Sequence, residues 1–436
     1  MKTTITEVSA RQILDSRGTP TVEAVIILSD GSTGIASVPS GSSKGKREAV
    51  EKRDNDMLVY RGLGVLHAVD NIKNVIGPKI KGMDAHDQEA VDQTMIDLDQ
   101  TPNKEKLGAN AILAISLAIA RSCAKSNGEP LFQYLTSLSP ALSQRVGLEF
   151  HLPVPHLNVI NGGMHADNNL SIQEFLIIPF GFEKFSESLR AGVEIYWLIR
   201  DCLKQSGSGI NIGDEGGFAP NFKKTTEALD IIVEAVKRSG YKLGDQVYVG
   251  LDVAATHLLK GGQSSYTMDG EQYDSGNLVY FYKNLMTAYP FLKSIEDPFG
   301  QDDWIGFKKL NSEMNNQVQI VTDDLTVTNP SIFTKAILEQ VGNTILVKYN
   351  QVGTLTETLK VMKMAKDSGW KTILGNRSAE TVDDFVSDLA VAFHMDQVKF
   401  GAPSRGERLS KYNRLLEIED LLGSQAKFPG RSAFSF

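Results

Sequence analysis

Six side chains capable of acid, base or metal-binding chemistry follow short apolar runs between residues 247 and 400. They are three carboxylates, two lysines and one asparagine, namely Asp252, Glu296, Asp323, Lys348, Asn376 and Lys399. The gaps between successive members are 44, 27, 25, 28 and 23 residues. Three carboxylates at one opening would repel one another unless a cation lay among them, and oxygen ligands suit Mg²⁺. The set therefore indicates a magnesium site with lysines beside it.

The spacing of these residues predicts the elements that position them. A strand, a loop and a return helix need about 25–30 residues, close to most of the gaps. We therefore expect parallel strands with the six groups at their C-terminal ends, where a (β/α) barrel places its active site. Upstream, two strand-like runs at 152–160 and 170–179 precede two helical runs at 182–206 and 225–239. This start is irregular, because a generic barrel would alternate strand and helix throughout.

The first part of the chain has a different pattern. Two alternating apolar runs between residues 21 and 37, joined by Asp30-Gly31, predict a β-hairpin. A loop with little apolar content follows at 38–46. Helical runs are predicted at 48–56, 65–75, 84–97 and 106–126. The pattern predicts an α+β domain over residues 1–135 and a barrel domain over residues 145–436.

The composition disfavours some classes of function. The 436 residues carry a net charge of −8 and no basic run, which disfavours nucleic-acid binding but permits a small anionic substrate. No apolar run approaches the roughly 18 residues of a membrane span, and the N-terminus lacks a signal-like core. Cys123 and Cys202 are most simply buried, reduced thiols. We expect a cytoplasmic protein that binds neither nucleic acid nor membranes.

Nine motifs, spread over essentially the whole chain, resemble those of the enolase family. They are Asp15-Ser-Arg-Gly, Gly108-Ala-Asn-Ala-Ile-Leu, Asn161-Gly-Gly-Met-His165, Gln173-Glu174-Phe, Gly213-Asp-Glu-Gly-Gly, Ser294-Ile-Glu-Asp-Pro, Asp323-Asp-Leu-Thr-Val-Thr-Asn, Lys348-Tyr-Asn-Gln-Val-Gly-Thr-Leu and Gly401-Ala-Pro-Ser-Arg. The resemblance implies an N-terminal α+β capping domain on a TIM-like (β/α)8 barrel of ββαα(βα)6 order. It also implies reversible, Mg²⁺-dependent dehydration of 2-phosphoglycerate to phosphoenolpyruvate, usually by a homodimer.

The same resemblance implies roles for individual residues. The implied catalytic residues are Lys348 as the base and Glu215 as the general acid, with Glu174 and His165 beside the leaving hydroxyl. The implied substrate ligands are Lys399 for the carboxylate, Arg377 and Ser378 for the phosphate, and Gln173 and Asn376. The implied metal ligands are Asp252, Glu296 and Asp323 for one Mg²⁺, and Ser43 of a mobile loop for a second Mg²⁺ that arrives with substrate.

These residue types suit the reaction. Removing a proton next to a carboxylate creates a doubly negative intermediate, which cations stabilise. A lysine base must lower its ordinary pKa of about 10.4 through burial or nearby positive charge. Purely structural roles are the alternative: helix caps for the carboxylates, which we prefer only for Asp324, and salt bridges for the lysines. The segment from Gly213 to Gly217 has a plain glycine turn as its alternative.

Six positions depart from the family pattern. They are Lys44 in the loop, His257, Gly375 and Asn376 in place of Ser-His, Ala379 in place of Gly, and Phe400 in place of Thr. Their clustering around the predicted site suggests intact proton abstraction with an altered substrate pocket. Two alternatives to an enolase therefore stay open. One is a paralogue with a related substrate, such as a carboxyphosphonoenolpyruvate synthase of phosphonate biosynthesis, and the other is a non-catalytic binding or structural protein.

Overall fold

The structure is a computed structural model that describes residues 3–41, 45–143, 150–259, 265–314 and 317–436. It begins with a three-stranded antiparallel sheet. The strands, in sheet order, are Ile5–Leu14, Pro20–Leu28 and Thr33–Ser37. The predicted hairpin is confirmed, and its turn places Gly31 at φ 87°, a conformation that glycine adopts without strain. The strand Ile5–Leu14 is an addition to the prediction.

Helices complete this N-terminal capping domain. The helices are Leu66–Asn71, Gly77–Ile80, Gln88–Asp99, Ala109–Asn127, Leu131–Leu138 and Pro140–Ser143, with a 3-10 turn at Tyr60–Gly62 and a π turn at Ile72–Ile76. The helix Ala109–Asn127 packs directly on the sheet, since a Cβ at Gly34 would lie 2.0 Å from the carbonyl oxygen of Ala118. The predicted helix at 48–56 is wrong. Ala49 and Val50 donate their backbone N–H groups to Gln351 and Asn103, so no helical ladder forms there.

Eight strands then close into a barrel. In chain order they are Val154–Asn161, Glu174–Pro179, Val247–Asp252, Leu292–Glu296, Gln319–Thr322, Thr344–Val347, Lys371–Gly375 and Gln397–Lys399. Seven are mutually parallel, whereas Glu174–Pro179 runs antiparallel to both of its neighbours. The ββαα(βα)6 order is therefore confirmed, because two helices, Phe185–Gln205 and Thr225–Ser239, follow the first two strands.

Helices surround the barrel, and their apolar faces pack on strands that are almost entirely buried. After the first two they are Ser275–Ala288, Trp304–Met314, Pro330–Glu339, Tyr349–Val352, Leu355–Asp367, Phe385–Ala392 and Gly406–Leu422. Smaller elements are the strands Phe150–His151, Tyr266–Met268, Glu271–Tyr273 and Ala426–Lys427, and 3-10 turns at Gly163–His165, Ala255–Leu258, Gly423–Gln425 and Gly430–Ala433. Within the described ranges, no helix is long and apolar enough to cross a bilayer. Cys123 and Cys202 are buried free thiols, as predicted.

Buried polar contacts join the capping domain to the barrel. Three of them are Arg121–Asp383, Asp92–Thr356 and Lys104–Glu357, and we call these six residues the seam. The Arg121 guanidinium donates two hydrogen bonds to the Asp383 carboxylate, from Nη1 to Oδ2 at 2.5 Å and from Nη2 to Oδ1 at 2.9 Å. Asp92 accepts hydrogen bonds from the backbone N–H (3.0 Å) and the hydroxyl (2.6 Å) of Thr356. These contacts fix the capping domain over the barrel.

Candidate active site

A small polar cavity opens at the C-terminal ends of the parallel barrel strands. We call it the mouth, and it is lined by His165, Gln173, Glu174, Glu215, Asp252, Ala254, Asp297, Asp323, Asp324, Lys348, Asn376, Arg377, Ser378 and Lys399. Eleven of the thirteen predicted site residues are in this lining. Of the other two, Glu296 lies behind Lys399 and in contact with it, and Ser43 falls outside the described residues.

The barrel ladder positions the first group of carboxylates. Asp252 and Glu296 are the last residues of adjacent parallel strands and are directly paired in register. Glu174 pairs with Asp252 from the other side. Because the strand Glu174–Pro179 is antiparallel, its first residue rather than its last lies at the mouth. The three side chains are therefore set side by side by the hydrogen bonding of the sheet.

The two lysines each pair with these acids. Lys399 Nζ lies 2.9 Å from Asp252 Oδ2, 2.7 Å from Glu296 Oε2 and 3.0 Å from Glu174 Oε2. Lys348 Nζ lies 2.5 Å from Asp323 Oδ2. Burial on its own would lower the pKa of Lys348, but the nearby acids, Asp323 first and then Glu296, together raise that pKa above its ordinary range. Without a competing cation at Asp323, Lys348 is therefore held as an ammonium.

Because these carboxylates lie close together, their pKa values are shifted. Burial and the neighbouring Asp252 raise the pKa of Glu296 well above its usual range. Burial opposes the charge on Asp252 as well, yet Lys399 and Lys348 lower the pKa of that carboxyl. Glu296 Oε1 is buried and makes no hydrogen bond to the part of the chain that the structure describes. Three buried carboxylates, one with an unused oxygen, fit a Mg²⁺ ion.

The structure argues against helix capping as the role of these residues. The first residues with cap geometry after Asp252 and Asp323 are Ala254 and Asn329. The capping role preferred for Asp324 is wrong, because the next helix begins at Pro330 and is capped by the Asn329 side chain. Asp324 belongs instead to an acidic group with Asp323 and Asp297.

Asp297 is a residue of the mouth whose role the sequence did not reveal. Its carboxylate accepts the backbone N–H groups of Asp323 (3.0 Å) and Asp324 (2.7 Å). Burial and Asp324 raise the pKa of Asp297 well above its usual range. It thereby holds the loop that carries Asp323. Its place inside the motif Ser294-Ile-Glu-Asp-Pro was the available signal.

His165, Glu174 and Glu215 form a second group of side chains in the mouth, next to Lys399. His165 Nδ1 lies 3.2 Å from Glu174 Oε1. Glu215 is carried by a tight loop, in which a Cβ at Gly217 would lie 2.7 Å from Asn161 Oδ1. The glycines are therefore needed for the loop to approach the first barrel strand. The segment is thus more than a plain turn, since it sets Glu215 against His165.

These three groups differ in proton affinity. Burial would lower the pKa of His165, but Glu174 and Glu215 raise it. Burial raises the pKa of Glu174, in spite of Lys399. Burial would raise the pKa of Glu215, yet the surrounding cations, Arg408 first and then His165, together lower the pKa of that carboxyl. Glu174 is therefore the glutamate whose surroundings favour the protonated form.

The remaining wall is built around Arg377, which reaches the capping domain. Arg377 Nη1 donates to Glu48 Oε2 at 2.8 Å and to Asn350 Oδ1 at 3.2 Å, and Nη2 donates to Glu48 Oε1 at 3.3 Å. Gln351 Nε2 joins Asp323 (2.8 Å) to Glu48 (3.4 Å). Glu48 was missed because the sequence predicts a helix over its segment. Asn350 and Gln351 lie in the motif that begins at Lys348.

Comparisons with known proteins agree with this geometry. Residues 5–135 match the family model described as Enolase, N-terminal domain, and residues 149–435 match Enolase, C-terminal TIM barrel domain. Enolases from two strains of Bifidobacterium longum are each 48% identical over 430 residues, covering 99% of this chain and 97% of theirs. The enolase of Bifidobacterium adolescentis is 47% identical over the same coverage.

The chain belongs to the enolase family. It is therefore an enzyme, a carbon–oxygen lyase, built as a capping domain on a TIM barrel. The structure shows where the residues that depart from the enolase pattern lie relative to the mouth. Of the five departures that the structure describes, only Asn376 lines the mouth. Its Nδ2 makes no hydrogen bond to the described residues.

The other departures lie elsewhere. Phe400 is fully buried in the hydrophobic core, with its ring 5.8 Å from that of Tyr412. A Cβ at Gly375 would lie 3.3 Å from Lys348 Cε, so glycine leaves the lysine stem room. His257 is exposed, Ala379 pairs with Ser40, and Lys44 falls outside the described residues. Phe400 therefore belongs to the hydrophobic core and not to the lining of the mouth.

Proposed function

We propose that this chain catalyses the reversible dehydration of 2-phosphoglycerate to phosphoenolpyruvate. The observation that carries the proposal is the meeting of two groups of side chains in one buried cavity. In the first group, Lys348 and Lys399 pair with the strand-end carboxylates. In the second group, Glu174, Glu215 and His165 converge beside Lys399. A substrate placed between them meets a base for its α-proton and an acid for its hydroxyl. A family match over the whole chain supports this assignment.

Asp252, Glu296 and Asp323 would hold Mg²⁺. When bound, the ion would neutralise charge on the substrate carboxylate and on Asp323, which favours loss of a proton from Lys348. Lys399 would bind the same substrate carboxylate, and it already neutralises the acids around it. A second ion held with the help of Ser43 stays a prediction.

The proton transfer assigned to Lys348 breaks the C–H bond next to the substrate carboxylate. The neutral amine takes the proton at Nζ, and the electron pair stays on the substrate as a carboxylate-stabilised carbanion. Burial in the mouth excludes bulk water from this step, as expected for a general base with a tuned pKa. The Lys348 ammonium, once formed, has Asp323 as its partner at 2.5 Å.

Loss of the hydroxyl then breaks the C–O bond and forms the double bond. The departing oxygen takes a proton and leaves as water. We assign this proton to Glu215, with Glu174 and His165 beside it. Glu174 is the rival donor, because burial raises its pKa, whereas Arg408 helps to lower the pKa of Glu215.

The phosphate would bind to Arg377 and Ser378. Arg377 is only 4% exposed, so its charge acts with little screening, and a guanidinium matches the geometry of phosphate oxygens. Its backbone is tethered to a neighbouring helix, because Arg408 Nη1 donates to the carbonyl oxygen of Arg377 at 2.6 Å. Gln173 and Asn376 complete the proposed substrate contacts. We also propose a homodimer, a cytoplasmic location and a place in glycolysis, and these three proposals rest only on membership of the enolase family.

An assay for phosphoenolpyruvate formation from 2-phosphoglycerate, with and without Mg²⁺, tests the proposal. We expect Mg²⁺-dependent turnover within the range of ordinary enzymes. Absence of turnover, with exchange of the substrate α-proton retained, would instead favour a paralogue that acts on a related substrate. Absence of both would favour a binding protein.

One observation supports the paralogue, namely that Asn376 Nδ2 in the mouth makes no hydrogen bond to the residues that the structure describes. Asn376→His is the matching test, because this change restores the residue that the enolase family usually has here. A gain in dehydration would show that Asn376 has altered the specificity of the pocket. Unchanged turnover would show that the position tolerates either residue.

A further inference from the structure

The helix Gly406–Leu422 carries a buried arginine, Arg408, whose guanidinium takes no part in the proposed proton transfers. Arg408 is 0% exposed, and its Nε lies 3.5 Å from Glu407 Oε1. Burying a charged side chain is unfavourable unless ion pairs and hydrogen bonds replace the water that it loses. The hydrogen-bond acceptors of the guanidinium therefore indicate what Arg408 does.

The guanidinium donates to backbone oxygens on two separate loops of the mouth. Arg408 Nη1 donates to the carbonyl oxygen of Arg377 at 2.6 Å, and Nη2 donates to that of Ser378. Nη2 also donates to the carbonyl oxygen of Asp214 at 3.3 Å. Arg377 and Ser378 are the proposed phosphate ligands, and Asp214 directly precedes Glu215, the proposed acid. Arg408 therefore connects the phosphate side of the mouth to its acid side.

The chain packs closely around Arg408 on the acid side. A Cβ at Gly401 would lie 2.8 Å from Arg408 Cδ and 3.0 Å from the carbonyl oxygen of Glu215, so a larger residue would push them apart. Gly401 also has φ 87°, which glycine adopts without strain. The N–H group of Ala402 donates to the same carbonyl oxygen of Glu215 at 2.9 Å. The motif that begins at Gly401 therefore holds the acid loop against the stem of Arg408.

The proposed substrate requires a fixed separation between the two sides of the mouth. 2-Phosphoglycerate carries its phosphate and its leaving hydroxyl on neighbouring carbon atoms. Arg377 follows the barrel strand Lys371–Gly375, whereas Glu215 lies on a loop between two helices, so neither element positions the other. A displacement of about 1 Å can slow an enzymatic reaction about 100-fold. A connection between the two sides should therefore influence the rate.

We propose that Arg408 is a positioning residue that sets the distance between the phosphate ligands and the acid loop. The proposal rests on the proposed function, because it uses that function's substrate and the assignment of Glu215 as the acid. Lys348 lies on another strand end and bonds to Asp323. Arg408 therefore governs loss of the hydroxyl and not removal of the α-proton.

Arg408→Lys tests the proposal, because it keeps the positive charge but replaces the planar fork of the guanidinium with a single ammonium group. At saturating 2-phosphoglycerate we expect dehydration to slow about 100-fold. Exchange of the substrate α-proton into deuterated solvent should continue at the rate of the unmodified chain. A merely structural role would lower the two rates in equal proportion, because unfolded protein supports neither. Arg408→Gln is a second variant that should show the same split, so that misfolding of one variant leaves the test intact.

Arg414→Lys is the matched control. Arg414 lies on the same helix, and its guanidinium donates to Asp388, which is outside the lining of the mouth. This change should leave dehydration and exchange unaltered. A split between the two rates in Arg414→Lys as large as that in Arg408→Lys would overturn the assignment to Arg408.

Two further results would overturn the proposal. One is an equal loss of exchange and dehydration in folded Arg408→Lys. The other is dehydration as fast as in the unmodified chain, since charge alone would then suffice. Should the unmodified chain fail to turn over 2-phosphoglycerate, the proposed function falls, and calorimetry with inorganic phosphate tests Arg408 independently. Arg408→Lys should weaken phosphate binding about 2- to 10-fold, the effect of one lost hydrogen bond, and unchanged affinity would refute the positioning role.

Discussion

The mouth is buried and the seam is partly buried, and both contain charged side chains, yet their charges are arranged in opposite ways. At the seam, Asp383 meets a guanidinium and two backbone N–H groups, so its negative charge is fully compensated. In the mouth, Asp297, Asp323 and Asp324 face one another. Glu296 and Glu215 each keep a buried oxygen without a hydrogen bond to the described residues.

The difference separates stability from function. Buried charges that are paired and hydrogen-bonded hold two domains together, and removing one partner is costly. Buried charges that oppose one another raise the free energy of the folded chain and are retained where a ligand relieves them. Changes in the mouth should therefore alter catalysis, and changes at the seam should alter the free energy of unfolding.

The largest expected effect is on proton abstraction. Lys348→Ala removes the proposed base and should lower both turnover and exchange of the substrate α-proton by about 10²- to 10⁴-fold. Exchange into deuterated solvent, followed by NMR, measures the step directly. Lys371→Ala is the matched control, because Lys371 begins the next strand and pairs with Asp396. Persistent exchange in Lys348→Ala would assign the base elsewhere.

Loss of the acid should have a comparable but more selective effect. Glu215→Gln should slow dehydration by about 10²- to 10⁴-fold while exchange continues, because proton abstraction comes first. Glu174→Gln tests the rival, whose pKa is raised by burial. A larger loss of dehydration in Glu174→Gln would make Glu174 the donor. Comparing exchange with product formation in both variants decides between them.

The mouth and the seam differ in how much of each could be predicted from the sequence, because they are made from different structural elements. The strand-end residues Asp252, Glu296 and Asp323 were predictable from spacing, because parallel strands place their ends at one opening. Glu215 and His165 sit on irregular loops, which have no periodicity, so only family motifs pointed to them. The seam was invisible, because Arg121 and Asp383 are brought together by docking of two domains.

Two local features could not be predicted from the sequence, each for a physical reason. The segment containing Glu48 has helix-forming residues, but Ala49 and Val50 bond to distant carbonyls, so tertiary contacts overrode local preference. The side-chain directions of Phe400 and Asn376 could not be read from their proximity to strand ends. Phe400 turns into the core, and Asn376 faces the mouth.

Breaking the seam should reduce stability and spare chemistry. Asp383→Asn leaves Arg121 without a full counter-charge, although Asp384 remains 2.8 Å from its Nη2. We expect the free energy of unfolding to fall by about 3 kcal/mol. Denaturant unfolding measures this, with kcat at saturating substrate as the check. A large fall in kcat at unchanged stability would contradict the division between the two regions.

Asp92 gives the seam a pH dependence. Burial raises the pKa of Asp92 from 3.8 to about 6 in the folded chain, so the folded state binds this proton more tightly than the unfolded state. Its contribution is fully present below about pH 4 and is lost as pH rises through about 6. Relative to Asp92→Asn, the unmodified chain should lose up to about 3 kcal/mol of unfolding free energy over that range. Parallel pH profiles of the two proteins would refute this.

The smallest expected effect comes from changing Glu48, which lies where the capping domain meets the mouth. Glu48 belongs to the capping domain but forms an ion pair with Arg377, so it already neutralises part of the charge proposed to bind phosphate. Glu48→Gln keeps the shape and removes one partly screened charge, which should lower KM about tenfold, equivalent to 1.4 kcal/mol. Binding of inorganic phosphate, measured by calorimetry, should tighten in parallel. A rise in KM would instead mean that Glu48 orients Arg377, and that the mouth depends on the capping domain for position as well as for charge.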